Sequence, residues 1–94
     1  MGLPNVPNAV PLTDTIAVTA VKTVLDLSAK EYCAFLLDNQ GDETINITLL
    51  PQQKTLKLSG GMYIFFEQDN TSSIEIATET GKTSTLMYFI QGNA

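Results

Sequence analysis

The chain has 94 residues, with five lysines, no arginine and ten acidic residues, so its net charge is −5 and its isoelectric point is near 4.3. This length suits one domain with a single core. Hydrophobic residues make up 44% of the chain, which excludes a disordered acidic tail. No apolar run approaches the roughly 20 residues of a membrane-spanning helix. The chain has no histidine and one cysteine, so Ser-His-Asp and Cys-His nucleophile systems and most transition-metal sites are excluded.

The charge distribution also limits the partners. Nucleic-acid binding depends on clustered lysine and arginine side chains that neutralise phosphates, and only Lys54 and Lys57 are neighbours here. We therefore expect no nucleic-acid partner and no binding to an anionic membrane surface.

The opening MGLPNVPNAVPL lacks the basic and continuous apolar regions of a secretory signal. A single cysteine suits folding in a reducing cytosol.

Residues 1–14 differ in composition from the rest of the chain. Three prolines recur at intervals of three or four residues, namely Pro4, Pro7 and Pro11. Each proline fixes its own φ and favours extended geometry before it, so this spacing predicts an extended N-terminal arm. The apolar residues between the prolines, which we predict to bind a partner, are Leu3, Val6 and Val10. The alternative is an ordinary loose terminus.

Residues 15–94 are predicted to form one all-β domain. Segments of alternating or continuous apolar residues, separated by polar turns, recur at 15–24, 32–38, 44–50, 55–58, 62–68, 73–78 and 84–91. Residues 25–31 are interpreted as a connection. Short strands at this spacing indicate an antiparallel β-sandwich of about seven strands, either jelly-roll or immunoglobulin-like.

Three of these strands carry large apolar residues on both faces, at 32–37, 62–66 and 86–90. A two-sheet sandwich has one core face per sheet, so some of these side chains should lie on the outside. Exposed apolar patches usually mark interfaces, and we predict partner binding through Tyr63, Phe65 and Tyr88. The expected partners include further copies of the chain, in a homo-oligomer such as a trimer. The alternative is that the arm and loops cover the second face.

Acidic residues near turns are the only candidates for chemistry. Asp38, Asp42 and Glu43 flank the 39–41 turn, where Gly41 suits a positive φ, and a second pair, at 67 and 69, flanks another turn. Asp and Asn favour turns for backbone reasons, so we interpret these residues as turn formers. Cys33 lies in an apolar run and is predicted to be buried in the core. We therefore predict no catalytic residue, no metal, no cofactor and no enzymatic activity.

The central and C-terminal segments TINITLLP, LSGGMYIFF and SIEIATETGKTSTLMYFIQG carry a further pattern. Together they resemble the small β-rich accessory proteins of tailed-phage virions, such as capsid decoration, head-fibre base and tail-adaptor subunits. The resemblance covers about residues 32–92. The residues that carry it are Leu58, Gly60, Gly61, Ile64, Ile74, Ile76, Gly81, Lys82, Leu86 and Tyr88. It implies symmetric or pseudo-symmetric assembly, with arms that join subunits to their neighbours.

These observations favour a non-enzymatic structural protein of a bacteriophage virion, assembled in the host cytoplasm. It would bind a larger virion protein, such as the major capsid protein, as a decoration, head-fibre or adaptor subunit. A carbohydrate- or host-surface-binding β-sandwich module is the alternative, although a chain with no tryptophan and three tyrosines offers few rings for stacking on sugars. A small enzyme or enzyme inhibitor is the third class.

Overall fold

The computed structural model describes residues 12–28 and 31–92, and within them the chain is all β-strand and connection, with no helix. The eight strands, β1 to β8, are in order Leu12–Val18, Thr23–Asp26, Tyr32–Asn39, Ile45–Leu50, Lys54–Leu58, Tyr63–Glu67, Ser73–Thr78 and Ser84–Gly92. The all-β prediction is therefore confirmed. The predicted arm, with Leu3, Val6 and Val10, lies outside the described residues up to residue 11.

The strands form two four-stranded antiparallel sheets. Sheet A has the order β1-β8-β3-β6, and sheet B has the order β2-β7-β4-β5. Successive strands alternate between the two sheets except at the β4–β5 hairpin, and this is the connectivity of a jelly roll. Of the two sandwich types that the sequence left open, the structure has the jelly roll.

The strand count differs from the prediction at the N-terminal end of the domain. Residues 15–24 were predicted as one strand, but β1 ends at Val18 and β2 begins at Thr23 in the other sheet. The chain crosses between the sheets at 19–22, where the Thr19 hydroxyl accepts a hydrogen bond of 3.1 Å from Val21 N. Because β1 begins at Leu12, residues 12–14, which were assigned to the arm, lie in sheet A.

The core lies between the sheets and is formed by alternate residues of the strands. Ile45, Ile47 and Leu49 of β4 are fully buried, as their alternation predicts. Phe35 of β3 stacks on Phe66 of β6, with 5.0 Å between ring centroids and 6° between planes. The remaining buried apolar residues are Val18, Leu27, Tyr32, Leu37, Leu58, Ile74, Ile76, Leu86, Tyr88 and Ile90.

One buried polar residue, Asn39 at the end of β3, connects several segments at one end of the sandwich. Its side chain is fully buried. The amide Nδ2 donates to the Glu43 carbonyl at 2.7 Å and to the Leu58 carbonyl at 2.9 Å. The amide oxygen accepts from Gly41 N at 3.1 Å and from Ser84 Oγ at 2.6 Å. All four hydrogen-bonding positions of the amide are occupied, so burial of this polar group carries no unsatisfied atom.

The glycines beside Asn39 are required by close packing and by backbone conformation. A Cβ at Gly41 would overlap the Ser84 hydroxyl, and a Cβ at Gly60 would overlap the backbone of Asp42. Gly61 has a φ of 76°, which favours glycine. The prediction that Gly41 supplies a positive φ is wrong, because only its lack of a side chain is used.

We expect Asn39→Ala to lower the free energy of unfolding by about 3 kcal/mol or more, because it leaves two buried carbonyls, one amide and one hydroxyl without their partner. Chemical denaturation monitored by tyrosine fluorescence measures the loss. The matched control is Asn46→Ala, since Asn46 makes one exposed hydrogen bond of 2.7 Å to Glu79, and we expect it to cost less than about 1 kcal/mol. Equal losses in the two variants would contradict the role given to Asn39.

Candidate functional site: the outer face of sheet A

The outer face of sheet A carries a contiguous set of apolar side chains. The three strands with apolar residues on both faces, β3, β6 and β8, are adjacent in this sheet. One row across them, in register, consists of Phe89, Leu36 and Phe65. In the next row, Met87 and Tyr63 lie on either side of Asp38. Side chains of directly opposed residues point to the same side of a sheet, so these residues form one surface.

The aromatic residues of this surface are well exposed. The exposed fraction is 70% for Tyr63, 63% for Phe65 and 38% for Phe89. Leu36 and Met87 are half-buried between them. We call the surface formed by Leu36, Tyr63, Phe65, Met87 and Phe89 the apolar face. It agrees with the sequence-based expectation that some large side chains of the two-sided strands lie outside the core.

The partner-binding residues predicted from sequence are only partly on this face. Tyr63 and Phe65 lie on it. Tyr88 does not, because it is 5% exposed and points into the core with Leu86 and Ile90. Side chains alternate along a strand, so the exposed aromatic residue of β8 is Phe89. Leu36, Met87 and Phe89 were not singled out individually, although the two-sided apolar pattern of their strands indicated residues of this kind.

The outer face of sheet B is mostly polar and differs sharply from the apolar face. The Thr48 and Thr55 hydroxyls lie 3.0 Å apart on neighbouring strands. Glu75 forms an ion pair of 3.1 Å with Lys22. Val24, which is 55% exposed, is the large apolar residue at its edge. The molecule therefore presents one apolar and one polar sheet face.

The position of Tyr88 in the core raises the pKa of its phenol. Burial raises the pKa of its phenol above the ordinary value of 10.0, and the negative charge of Asp14 raises it further. Asp14 lies opposite Tyr88 on β1 and on the same side of sheet A. Tyr88 is thus a core residue, and the acidic group next to it is Asp14.

A cleft of about 590 Å³ lies at the end of the sandwich, where the loop after β2 meets the loop before β7. Its lining includes Leu27, Glu31, Tyr32, Cys33, Pro51 and Asn70.

In the loop after β2, the Ser28 hydroxyl and backbone N donate to the Asp26 carboxylate at 2.6 and 2.9 Å. These hydrogen bonds lower the pKa of Asp26, the hydroxyl contributing more than the backbone.

Cys33 is half-buried at the edge of this cleft, and the prediction that it lies in the core is wrong. The pairing of β3 with β8 shifts register between Tyr32 and Ala34. This bulge interrupts the alternation of inward and outward side chains at residue 33.

Within residues 12–28 and 31–92, no three Asp, Glu or Cys side chains form a cluster that could hold a metal ion.

The acidic residues around the 39–41 turn lie in different elements, with Asp38 in β3 and Asp42 and Glu43 in the bend that follows it. Glu43 forms a long ion pair of 3.7 Å with Lys82. Asp38 lies on the outer side of β3 between Met87 and Tyr63.

Within the part of the chain that the structure describes, no helix is long and apolar enough to cross a bilayer.

The comparisons with known proteins identify the fold. No protein-family profile matches the sequence, and no curated protein sequence aligns significantly with it. The structure is similar to the ethanolamine utilization protein EutQ of Salmonella typhimurium, with a TM-score of 0.59 and 13% identity over 93% of this chain and 62% of EutQ. The chain therefore spans less than two thirds of EutQ.

Two further structures cover most of both chains. A Bacillus endospore appendage, from a family of disulfide-linked pili, has a TM-score of 0.56 and 14% identity over 90% of this chain and 89% of its own. The Drosophila NLP core, described with its pentamer formation and histone binding, has a TM-score of 0.54 and 6% identity over 84% and 96%. Likeness at these identities shows the fold alone. With the strand order, it defines the class as a small jelly-roll protein.

We expect Asp14→Asn to lower the pKa of Tyr88 but to leave it above the ordinary tyrosine value, because burial is the larger cause. The fold favours the neutral phenol. Its stabilising effect is therefore complete below the pKa of an unfolded tyrosine and is lost as the pH rises through the higher folded-state pKa.

Titration of the tyrosine ring carbons by NMR measures this pKa, and Tyr88→Phe assigns the signal. A Tyr88 titration curve that is unchanged in Asp14→Asn would contradict the effect of the Asp14 charge.

Proposed function

We propose that this chain is a non-enzymatic structural subunit of a bacteriophage virion, which binds the capsid or a neighbouring virion protein through the apolar face. The observation that carries the proposal is the contrast between the two outer sheet faces. A monomer with no partner gains nothing from exposing Tyr63 and Phe65 at 70% and 63%. Contiguous apolar patches of this kind usually mark interaction surfaces.

Burial of the apolar face would contribute favourably to binding. Covering a large apolar side chain fully contributes roughly 1.5–3 kcal/mol. Phe65 and Phe89 lie in one row with Leu36 between them, so a flat apolar partner surface would contact all three together. Asp38 lies within this surface between Met87 and Tyr63, so the partner would have to offer its carboxylate a hydrogen-bond donor or a cation. Glu67, at the end of β6, would form part of a polar rim.

The fold and the comparisons are compatible with this role. Jelly rolls recur in viral capsid proteins, in lectin domains and in cupins, so the fold by itself does not choose among them. The similar Bacillus endospore appendage belongs to pili, which are assembled structures. The resemblance to phage accessory proteins and the acidic composition favour a position on the outer surface of a particle, away from packaged DNA.

To test the proposal, the tagged chain is expressed together with its flanking genes, and the purified material is analysed by light scattering and electron microscopy. We expect an assembly or a co-purifying structural protein. Phe89→Thr should reduce the bound partner roughly tenfold, because it removes a large exposed ring from the apolar face.

The matched control is Val24→Thr, an exposed apolar residue on the outer face of sheet B that should leave binding unchanged. A sharp monomer that binds neither partner nor hydrophobic dye would contradict the proposal. Saturable binding to a glycan, lost in Tyr63→Ala, would instead favour the carbohydrate-binding alternative.

The N-terminal segment is part of the proposal as a second contact. Leu3, Val6 and Val10 would be buried against a neighbouring subunit, since an extended segment loses less entropy on docking than a flexible one. We expect deletion of residues 2–11 to leave thermal unfolding of the domain nearly unchanged and to weaken assembly. The deletion stops before Leu12 because β1 begins there.

Differential scanning calorimetry and light scattering on the full chain and the deletion variant measure the two effects. A melting temperature lowered by about ten degrees or more, with assembly intact, would mean that this segment belongs to its own domain and contributes nothing to assembly.

A further inference from the structure

The two sheets end in four edge strands, which are β1 and β6 in sheet A and β2 and β5 in sheet B. Exposed edges are templates for pairing with another chain, and proteins protect them with short strands, lysines, prolines or charges that point inward. Three edges are protected in this way. β2 has only four residues, β5 carries the exposed Lys54 and Lys57, and Asp14 of β1 lies on the core side of its strand, opposite Tyr88.

The fourth edge, β6, is one residue longer than β2, has no lysine, proline or inward charge, and carries exposed aromatic residues instead. Its sequence is YIFFE, with Tyr63 and Phe65 on the outer side. It contains no lysine and no proline, and no register shift interrupts its pairing with β3. β6 is thus the unprotected edge of the described domain.

The hydrogen bonds to β3 define which backbone groups of β6 are free. Asn39 N donates to the Met62 carbonyl, and Gln68 N donates to the Cys33 carbonyl, at 2.9 Å each. Backbone groups alternate in direction along an antiparallel strand. The N–H and C=O groups of Tyr63, Phe65 and Glu67 therefore point away from β3, and in the described chain β6 has no second neighbouring strand.

We propose that β6 pairs with β6 of a second copy in antiparallel orientation, about a two-fold axis at Phe65. In this register Phe65 lies opposite Phe65 of the second copy, and Tyr63 lies opposite Glu67. The free backbone groups of the three residues then meet those of the second copy and form two hydrogen bonds per opposed pair. The two sheets A become one continuous eight-stranded sheet.

A second copy fits this edge because the edge is complementary to itself. The tyrosine hydroxyl of one copy lies beside the Glu67 carboxylate of the other, and no acidic residue opposes another acidic residue along β6. The other three edges of a second copy carry the protecting features described above. Since the pairing covers only five residues per copy, its area is below that of a standard interface, and we expect a dissociation constant of roughly 10–100 µM.

This pairing deepens the proposed function by naming one neighbour, and it rests on that proposal only in treating the chain as an assembly subunit. The apolar faces of the two copies lie on the same side of the joined sheet, with the two Phe65 side chains adjacent. The dimer leaves Phe89 free, so it would present a doubled apolar face to a larger partner.

The first experiment tests the backbone pairing with the full chain by analytical ultracentrifugation, from about 10 to 500 µM. Phe65→Pro removes an N–H that makes no bond within its own sheet, and proline is tolerated at such edge positions. Phe65→Ala is the matched control, which loses the ring but keeps the N–H. We expect the dimer to weaken in Phe65→Ala and to weaken at least roughly tenfold more in Phe65→Pro.

The second experiment tests the two-fold axis. Phe65→Lys and Phe65→Glu should each be monomeric, because like charges would oppose each other at the axis, and mixing the two variants should restore a dimer. Thr55→Lys, on the β5 edge, is the control and should leave the dimer unchanged. Thermal unfolding of every variant verifies that the domain is folded.

The outcomes separate this inference from the proposed function. A wild-type chain that stays monomeric throughout the concentration range, or a dimer of unchanged strength in Phe65→Pro and Phe65→Lys, would overturn the β6 pairing. Phe89→Thr should weaken partner binding and leave the dimer intact. If instead the dimer forms while no structural partner or assembly is found, the β6 pairing is retained and the proposed function fails.

Discussion

The buried amide of Asn39 is the interaction on which the arrangement of the sandwich depends. It joins the end of β3 to the 41–43 turn, to the carbonyl at the end of β5 and to the start of β8. The backbone of Asn39 also makes two hydrogen bonds to the turn before β6. Asn39 N donates to the Met62 carbonyl, and Gly61 N donates to the Asn39 carbonyl. Both sheets are therefore fixed to one residue. A shift of β3 by one position would leave all of these groups unpaired in a buried environment, which costs more than most single contacts contribute.

The fixed register of β3 determines which side chains the molecule shows to the outside. Side-chain direction alternates along each strand, so the inward position of Asn39 sets Leu37 and Phe35 into the core and Leu36 onto the outer side. The same register pairs Leu36 with Phe65 and Phe89. The apolar face is thus a consequence of β3, β6 and β8 being apolar on both sides and adjacent. In sheet B the buried and less buried positions alternate along β4 and β7, and the outer face is mostly polar.

The sequence predicted the strands and the excess of apolar surface because both depend on local patterns. It did not predict the site residue on β8, since STLMYFIQ offers apolar residues on either face and nothing local chooses between Tyr88 and Phe89. It placed Cys33 in the core because a bulge has no signal in YCAFLLDN. It missed Asn39 because an asparagine at a strand end, with a glycine two residues later, is typical of a turn, and only long-range partners such as Leu58 and Ser84 reveal its burial.

An unprotected edge with exposed aromatic residues would ordinarily favour indiscriminate aggregation. The charges of this chain oppose that outcome, because the net charge of −5 makes distant copies repel one another and Asp38 and Glu67 lie beside the aromatic rows. Stacking of two apolar faces would bring the Asp38 side chains of both copies towards a dry interface, which costs free energy unless each is paired. The proposed pairing along β6 would keep these carboxylates in solvent and would set Glu67 beside a tyrosine hydroxyl. The same acidic residues that limit aggregation would therefore favour the proposed lateral pairing of two copies over face-to-face stacking, and they would leave the apolar face open to the proposed larger partner.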